Sequence, residues 1–319
     1  MTEGQIIPRP ELAPRAPEND RHADIAFLLD VDGVVTDPTK KQVLEPQIFT
    51  DIEANLASGN PVTLNTGRSN EWMIDRVISP LASKVKDKGV LNNFFAVGEK
   101  GLTWVSFDSQ GKLIKGVFNR EGVPVEGYDL KVFLDAQTAS HFSALAGYAR
   151  ALIKEKYSHS TFFDDSKHAM VSTEMIDGFN QPQYAAEQTQ FTQELKDILK
   201  KLGVEGKFNV DPTTIATDIQ MPHVGKHLGA QRVLDWLGRN KIAPKHYVAV
   251  GDSASDLEMA DELKSQGKSY EFRYVNPGKP LEEKLTNGED KKPKHNLKVS
   301  SQPFSKGLVE VFQSLKKTA

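Results

Sequence analysis

The 319-residue sequence contains no cysteine, which excludes disulfides and thiolate metal sites and leaves no record of a redox compartment. Long apolar runs are also missing, since none approaches the roughly 20 residues that span a bilayer. Neither sign of charge dominates: 40 basic residues face 43 acidic ones, so no global field argues for nucleic acid or an anionic membrane as partner. Any partner must be recognised at a local site. Residues 1–23 carry Pro8, Pro10, Pro14 and Pro17 among charged residues and no apolar segment of a secretory signal. They are read as a disordered tail on a cytoplasmic protein.

The length suits about two domains. Ile25 to Leu29 is an unbroken apolar run ended by Asp30-Val31-Asp32-Gly33. Such a run reads as a strand buried on both faces of a parallel sheet, delivering both aspartates at its carboxyl end. Pro46 then opens a helix with Phe49, Ile52 and Leu56 on one face, and Gly59 ends it. Pro61 to Asn65 predicts a second buried strand running into Thr66-Gly67-Arg68, Asn70 to Ile78 a helix, and Phe94 to Val97 a third strand. Strand and helix alternating at this spacing favour a doubly wound sheet.

The middle of the chain differs in character. Phe142, Leu145, Ala149 and Leu152 share one helical face, as do Phe191, Leu195, Ile198 and Leu202. Between these helices, Thr161 to Phe163 and Ala169 to Thr173 predict paired strands around the polar turn Asp164-Asp165-Ser166-Lys167-His168. Alternation resumes with a helix from about Lys226 to Asn240 and a short strand, Tyr247 to Val250, running into Gly251-Asp252. The expected fold is α/β: a doubly wound, mostly parallel, Rossmann-like three-layer sheet with an inserted α+β cap. The expected divisions are a tail at 1–23, a core at 24–115 and 213–319, and a cap at 116–212.

A phosphate ester resists attack because nucleophile and substrate are both anionic, so a site must supply positive charge and hold them in line. Asp30 suits a carboxylate nucleophile that forms an acyl phosphate. Asp32, two residues on, suits a general acid that protonates the leaving oxygen and then activates water. Magnesium prefers few carboxylates with waters and substrate oxygens. Asp30, the Asp32 carbonyl and Asp252 supply such a set, with Asp256 as ligand or orienting group. Thr66 and Gly67 offer hydroxyl and backbone donors to a phosphate oxygen, and Lys226 offers a neutralising charge.

Together these fragments resemble the four motifs of the haloacid dehalogenase superfamily of phosphohydrolases. Asp30 and Asp32 match the first motif, Thr66 the second, Lys226 the third, and Asp252 with Asp256 the fourth. The insert between the second and third motifs resembles the branch with a type-two α/β cap, which holds Cof-like and other sugar phosphatases. The resemblance implies a Mg2+-dependent phosphatase that passes through a phosphoaspartate, its specificity set by the cap. Glu99-Lys100-Gly101 departs from the Asn-Gly pair that many members carry before the cap, so no family role passes to that turn.

The expected substrate is a small phosphorylated metabolite, with sugar phosphates the leading class. Arg68, Asp164, Asp165, Lys167 and His168 are its candidate contacts, although a solvated turn explains the last four equally well. Two rivals stand beside this reading: a phosphomutase of the phosphomannomutase type, and a catalytically silent protein that binds a phosphorylated ligand. The oligomeric state is not legible.

Overall fold

The computed structural model describes residues 21–278, 286–287, 292–293 and 295–316. Most of the expected tail lies outside the described residues. Its last three positions do not belong to a tail: β1 spans Arg21–Leu29, and Arg21, His22 and Ala23 pair with positions 242–244.

In chain order, β1 is followed by α1 (Gln47–Ala57), β2 (Val62–Asn65) and α2 (Asn70–Met73). A π turn, Ile74–Ile78, leads into α3 (Ser79–Lys84), so this helix outruns the expected end by one turn and more. Next come β3 (Phe94–Gly98), β4 (Thr103–Phe107), β5 (Leu113–Phe118) and β6 (Pro124–Glu126). The middle region holds α4 (Ala136–Leu152), β7 (Thr161–Phe163), β8 (Val171–Met175), α5 (Gln181–Leu202), β9 (Asn209–Pro212) and β10 (Ala216–Gln220). The chain closes with α6 (Lys226–Arg239), β11 (Ile242–Gly251), α7 (Leu257–Ser265) and β12 (Tyr270–Tyr274), then the short strands β13 (Thr286–Asn287), β14 (Lys292–Pro293) and β15 (Lys298–Val299), and α8 (Phe304–Lys316).

Nine strands form one sheet in the order β15-β12-β11-β1-β2-β3-β4-β5-β6. The first six run parallel, and β4, β5 and β6 extend the sheet antiparallel. Its two faces explain the apolar runs. Phe27 and Leu29 of β1 pack with α1, α3 and α8 on one face, while Ala26 and Leu28 pack with α6 and α7 on the other. Helix, sheet and helix are therefore the three layers expected.

Order and register then make the site. The chain leaves β1 toward β2 and β3 on one side and returns to β11 and β12 on the other, so the switch point lies between β1 and β11. Open α/β sheets bind ligands at the carboxyl ends of strands at that point. Leu29 pairs with Val250 on one flank and Leu64 on the other, which brings the loops after β1, β2 and β11 out at one edge.

The second sheet is antiparallel, β7-β8-β10-β9, with α4 and α5 packed on it through Leu145, Ala149, Phe191, Leu195 and Val171. Pairing corrects both expected junctions. β5 and β6 belong to the large sheet, so it continues past 115, and β10 belongs to the cap sheet, so that sheet continues past 212. Short strands carry no label for the sheet they join, because cross-strand partners decide it.

Candidate active site

Asp30 is buried directly beyond the end of β1, its N–H donating to the Val250 carbonyl of β11. Asp252 follows β11, and Asp256 stands one turn further on. A carboxylate oxygen from each of Asp30, Asp252 and Asp256 lies within 4.8 Å of the others. Gly33 is what lets the two loops close. Its φ is +75°, and a Cβ there would lie 2.4 Å from Asp252 Oδ2.

Asp256 is held for its part by a capping box. Its Oδ2 accepts from the N–H groups of Asp252 (3.2 Å) and Ser253 (3.1 Å) and from the Ser253 hydroxyl (2.8 Å). Its Oδ1 is 3.0 Å from Lys226 Nζ.

Lys226 opens α6, which is drawn over the end of β2 as Asn65 Nδ2 donates to the Lys226 carbonyl at 2.7 Å. The Lys226 ammonium donates to the Asn65 carbonyl at 2.8 Å and to Asp30 Oδ1. Burial opposes its charge, but Asp256 and Asp30 outweigh burial and hold the ammonium above its ordinary pKa. Burial, and then Asp256, pushes the Asp30 carboxyl well above the carboxylate range. Three carboxylates, two of them buried, thus share one cluster with one ammonium. That excess of hard oxygen donors suits a small divalent cation such as Mg2+.

Thr66 is buried at the end of β2. Its N–H donates to the Val97 carbonyl at 3.0 Å, and its hydroxyl accepts from the Arg68 N–H at 3.2 Å. Gly67 lies between them, beside the Lys100 side chain. Arg68 is buried and stacks over Trp72, 4.7 Å from the ring centroid. Its guanidinium grips both Asp32 oxygens, Nε to Oδ2 at 2.9 Å and Nη2 to Oδ1 at 3.0 Å, and Nη1 reaches Glu174 Oε2 at 3.2 Å. Both Asp32 oxygens are thus oriented by a single guanidinium.

The cap turn divides into parts that meet the core and parts that do not. The Lys167 side chain is buried, donating to Ser172 Oγ at 2.8 Å, with Asp218 at 3.5 Å and Glu174 at 3.8 Å. His168 stacks on Tyr128, centroids 3.8 Å apart, and its Nε2 lies 3.2 Å from Glu71 Oε2. Asp164 accepts from Ser166 within its own turn. Asp165 is not gathered with them, being exposed and paired with Arg150 of α4.

Sequence reasoning missed Glu174, Glu99 and Lys100. Glu174 follows the predicted strand at 169–173 and lies inside the observed one, Val171–Met175, and its only signal is a charge beside a buried run. Glu99 and Lys100 stood out as a departure from the family pattern, without a role.

No family model matches the sequence, and no curated protein matches it either. Similar solved structures do exist. Aspergillus fumigatus trehalose-6-phosphate phosphatase superposes with a TM-score of 0.52 at 12% identity, covering 92% of this chain and 93% of that one. Thermoplasma acidophilum 0175 gives 0.52 at 13% identity, covering 92% and 99%. ATP-bound Plasmodium falciparum IMP-nucleotidase gives 0.52 at 13% identity over 74% of this chain. The chain spans 55% to 66% of the length of the nucleotidase chains. At such identities the likeness carries architecture alone. The doubly wound sheet, the aspartate loops at its carboxyl edge and the cap inserted after the second loop are the architecture this chain shares with the trehalose-6-phosphate phosphatase and Thermoplasma acidophilum 0175 structures.

Proposed function

We propose that the protein is a Mg2+-dependent phosphatase of small phosphomonoesters, with sugar phosphates as the leading substrate class. The observation that carries the reading is the convergence of buried Asp30 and Asp256 with half-buried Asp252 and Lys226 into one cluster near Thr66. Asp30, Asp252 and Asp256 would hold Mg2+, which supplies positive charge to the transferring phosphoryl group.

An Asp30 oxygen attacks phosphorus, the ester oxygen leaves, and Asp32 gives it a proton as the aspartyl phosphate forms. Water then attacks that phosphorus, Asp32 takes the water's proton, and phosphate is released with Asp30 regenerated. Lys226 orients Asp30 and offsets the added charge. Thr66 and Gly67 grip phosphate oxygens, and Arg68 positions Asp32. Glu174 of the cap pairs with Arg68 and stands beside Lys167 and Asp218, so charged cap groups lie next to the residue that holds Asp32. No helix among the described residues is long and apolar enough to cross a membrane, and the proposed compartment is the cytoplasm.

Release of phosphate from an aryl phosphate, dependent on Mg2+ and lost in a folded Asp30→Asn variant, is the expected result. Persistent turnover in that variant would reject the nucleophile. Transfer to a second hydroxyl without phosphate release would mark a mutase instead.

A further inference from the structure

The turn Gly98-Glu99-Lys100-Gly101 touches the Thr66–Arg68 loop, the start of α6 and the cap without belonging to the reacting groups. The Glu99 N–H donates to the Arg68 carbonyl at 3.0 Å, and the Lys100 N–H to the Thr66 carbonyl at 2.9 Å. The Lys100 carbonyl accepts from the Gly225 N–H, just before Lys226, at 3.2 Å. Gly101, at φ +107°, lies so close to α6 that a Cβ would sit 2.6 Å from Leu228 Cγ.

The side chains of the turn reach the other way, into the cap. The Glu99 carboxylate, fully buried, accepts from three successive cap N–H groups: Oε1 from His168 at 3.0 Å, and Oε2 from Ala169 at 2.6 Å and Met170 at 3.1 Å. Successive N–H groups of this kind form a concave anion seat. Lys100 Nζ reaches Asp211 at 2.6 Å and Asp218 at 2.9 Å on neighbouring cap strands.

Two features show that this arrangement is not merely convenient packing. Glu99 and Lys100 both have left-handed backbones, φ +46° and +55°, a conformation that persists only where the surroundings impose it. Burial also pushes the Glu99 carboxyl up to about 7, so the group is held there against a desolvation cost that an apolar residue would not carry.

We propose that Glu99 is a positioning residue that couples the phosphate loop, Thr66-Gly67-Arg68, to the seat of the cap. Its backbone holds the loop, its carboxylate holds the cap's 168–170 N–H groups, and the strained turn transmits displacement between them. The coupling does not depend on the phosphatase reading, because it is measured without turnover.

Hydrogen exchange of the full chain, followed in peptides covering 66–68 and 168–170, tests it. Glu99→Gly removes the carboxylate and relieves the strained backbone, and loss of charge-assisted hydrogen bonds should raise exchange about tenfold or more in both segments. Added acetate, a small carboxylate that fits the vacated N–H seat, should restore protection to both. Glu99→Gln keeps one acceptor oxygen and should give a smaller, paired loss, so it carries the test if the glycine variant does not fold. Unchanged protection, loss confined to 168–170, or rescue by acetate of the cap segment alone would each overturn the coupling.

Discussion

Arg68 binds Asp32 through both carboxylate oxygens and reaches Glu174 of the cap with its remaining nitrogen. One guanidinium thus joins a residue of the first aspartate loop to a strand of the cap. Only a planar fork makes that bidentate contact, and an ammonium cannot reproduce it. Misplacing a reacting group by about 1 Å costs roughly 100-fold. Arg68→Lys is accordingly expected to lower kcat/KM by about 10- to 100-fold with folding intact, as read by steady-state kinetics and circular dichroism. Wild-type kinetics in that variant would remove Arg68 from any part in positioning Asp32.

Gly33 is the position where the loops after β1 and β11 touch. An alanine there meets Asp252 Oδ2 at 2.4 Å and must hold φ +75°. Strain of that kind costs on the order of 1–3 kcal/mol. Gly33→Ala should lower the melting temperature and weaken Mg2+ binding together. A variant that loses neither would show that the loops have room to separate.

Mg2+ binding to the folded cluster alone should stabilise the protein by mass action, about 2.7 kcal/mol at 100 times Kd. Thermal melts across a Mg2+ series should therefore shift upward, and Asp252→Asn should flatten the series by removing one carboxylate. An identical shift in Asp252→Asn would place the ion elsewhere.

His168 links the cap to α2 through its hydrogen bond with Glu71, which raises the imidazole pKa above 6.5 while partial burial opposes it. A raised folded-state value means that this stabilisation is full below the unfolded pKa and is lost as pH rises through the folded one. The wild-type melting temperature should carry a component that falls as pH rises through and above 6.5, and His168→Asn should lack it. Superimposable pH profiles for the two proteins would rule the link out.

Much of the core was legible because its elements are local and periodic. Ile25 to Leu29 and Tyr247 to Val250 are apolar runs, and Val62 to Asn65 is a short segment buried at every position, so burial on both faces leaves little choice but parallel strands. Asp30, Thr66, Lys226 and Asp252 fall at strand ends or helix starts, so their meeting at one edge follows once the alternation is seen. Asp165 and Lys167 were not separable in this way. Both are polar residues of one turn, yet one pairs with Arg150 in solvent and the other is buried against Ser172.

The order of strands and motifs, and with it the edge where carboxylates gather, was written in the linear pattern, since burial periodicity and loop position are properties of neighbouring residues. Pairing partners were not. β5 and β6 joined the large sheet and β10 the cap sheet because long-range backbone hydrogen bonds chose them. The tertiary structure alone brought Arg68 between Asp32 and Glu174, and Glu99 into the cap's N–H groups. Those contacts span 36, 106 and about 70 residues, and no short-range signal reports which distant charge or donor will neutralise a buried group.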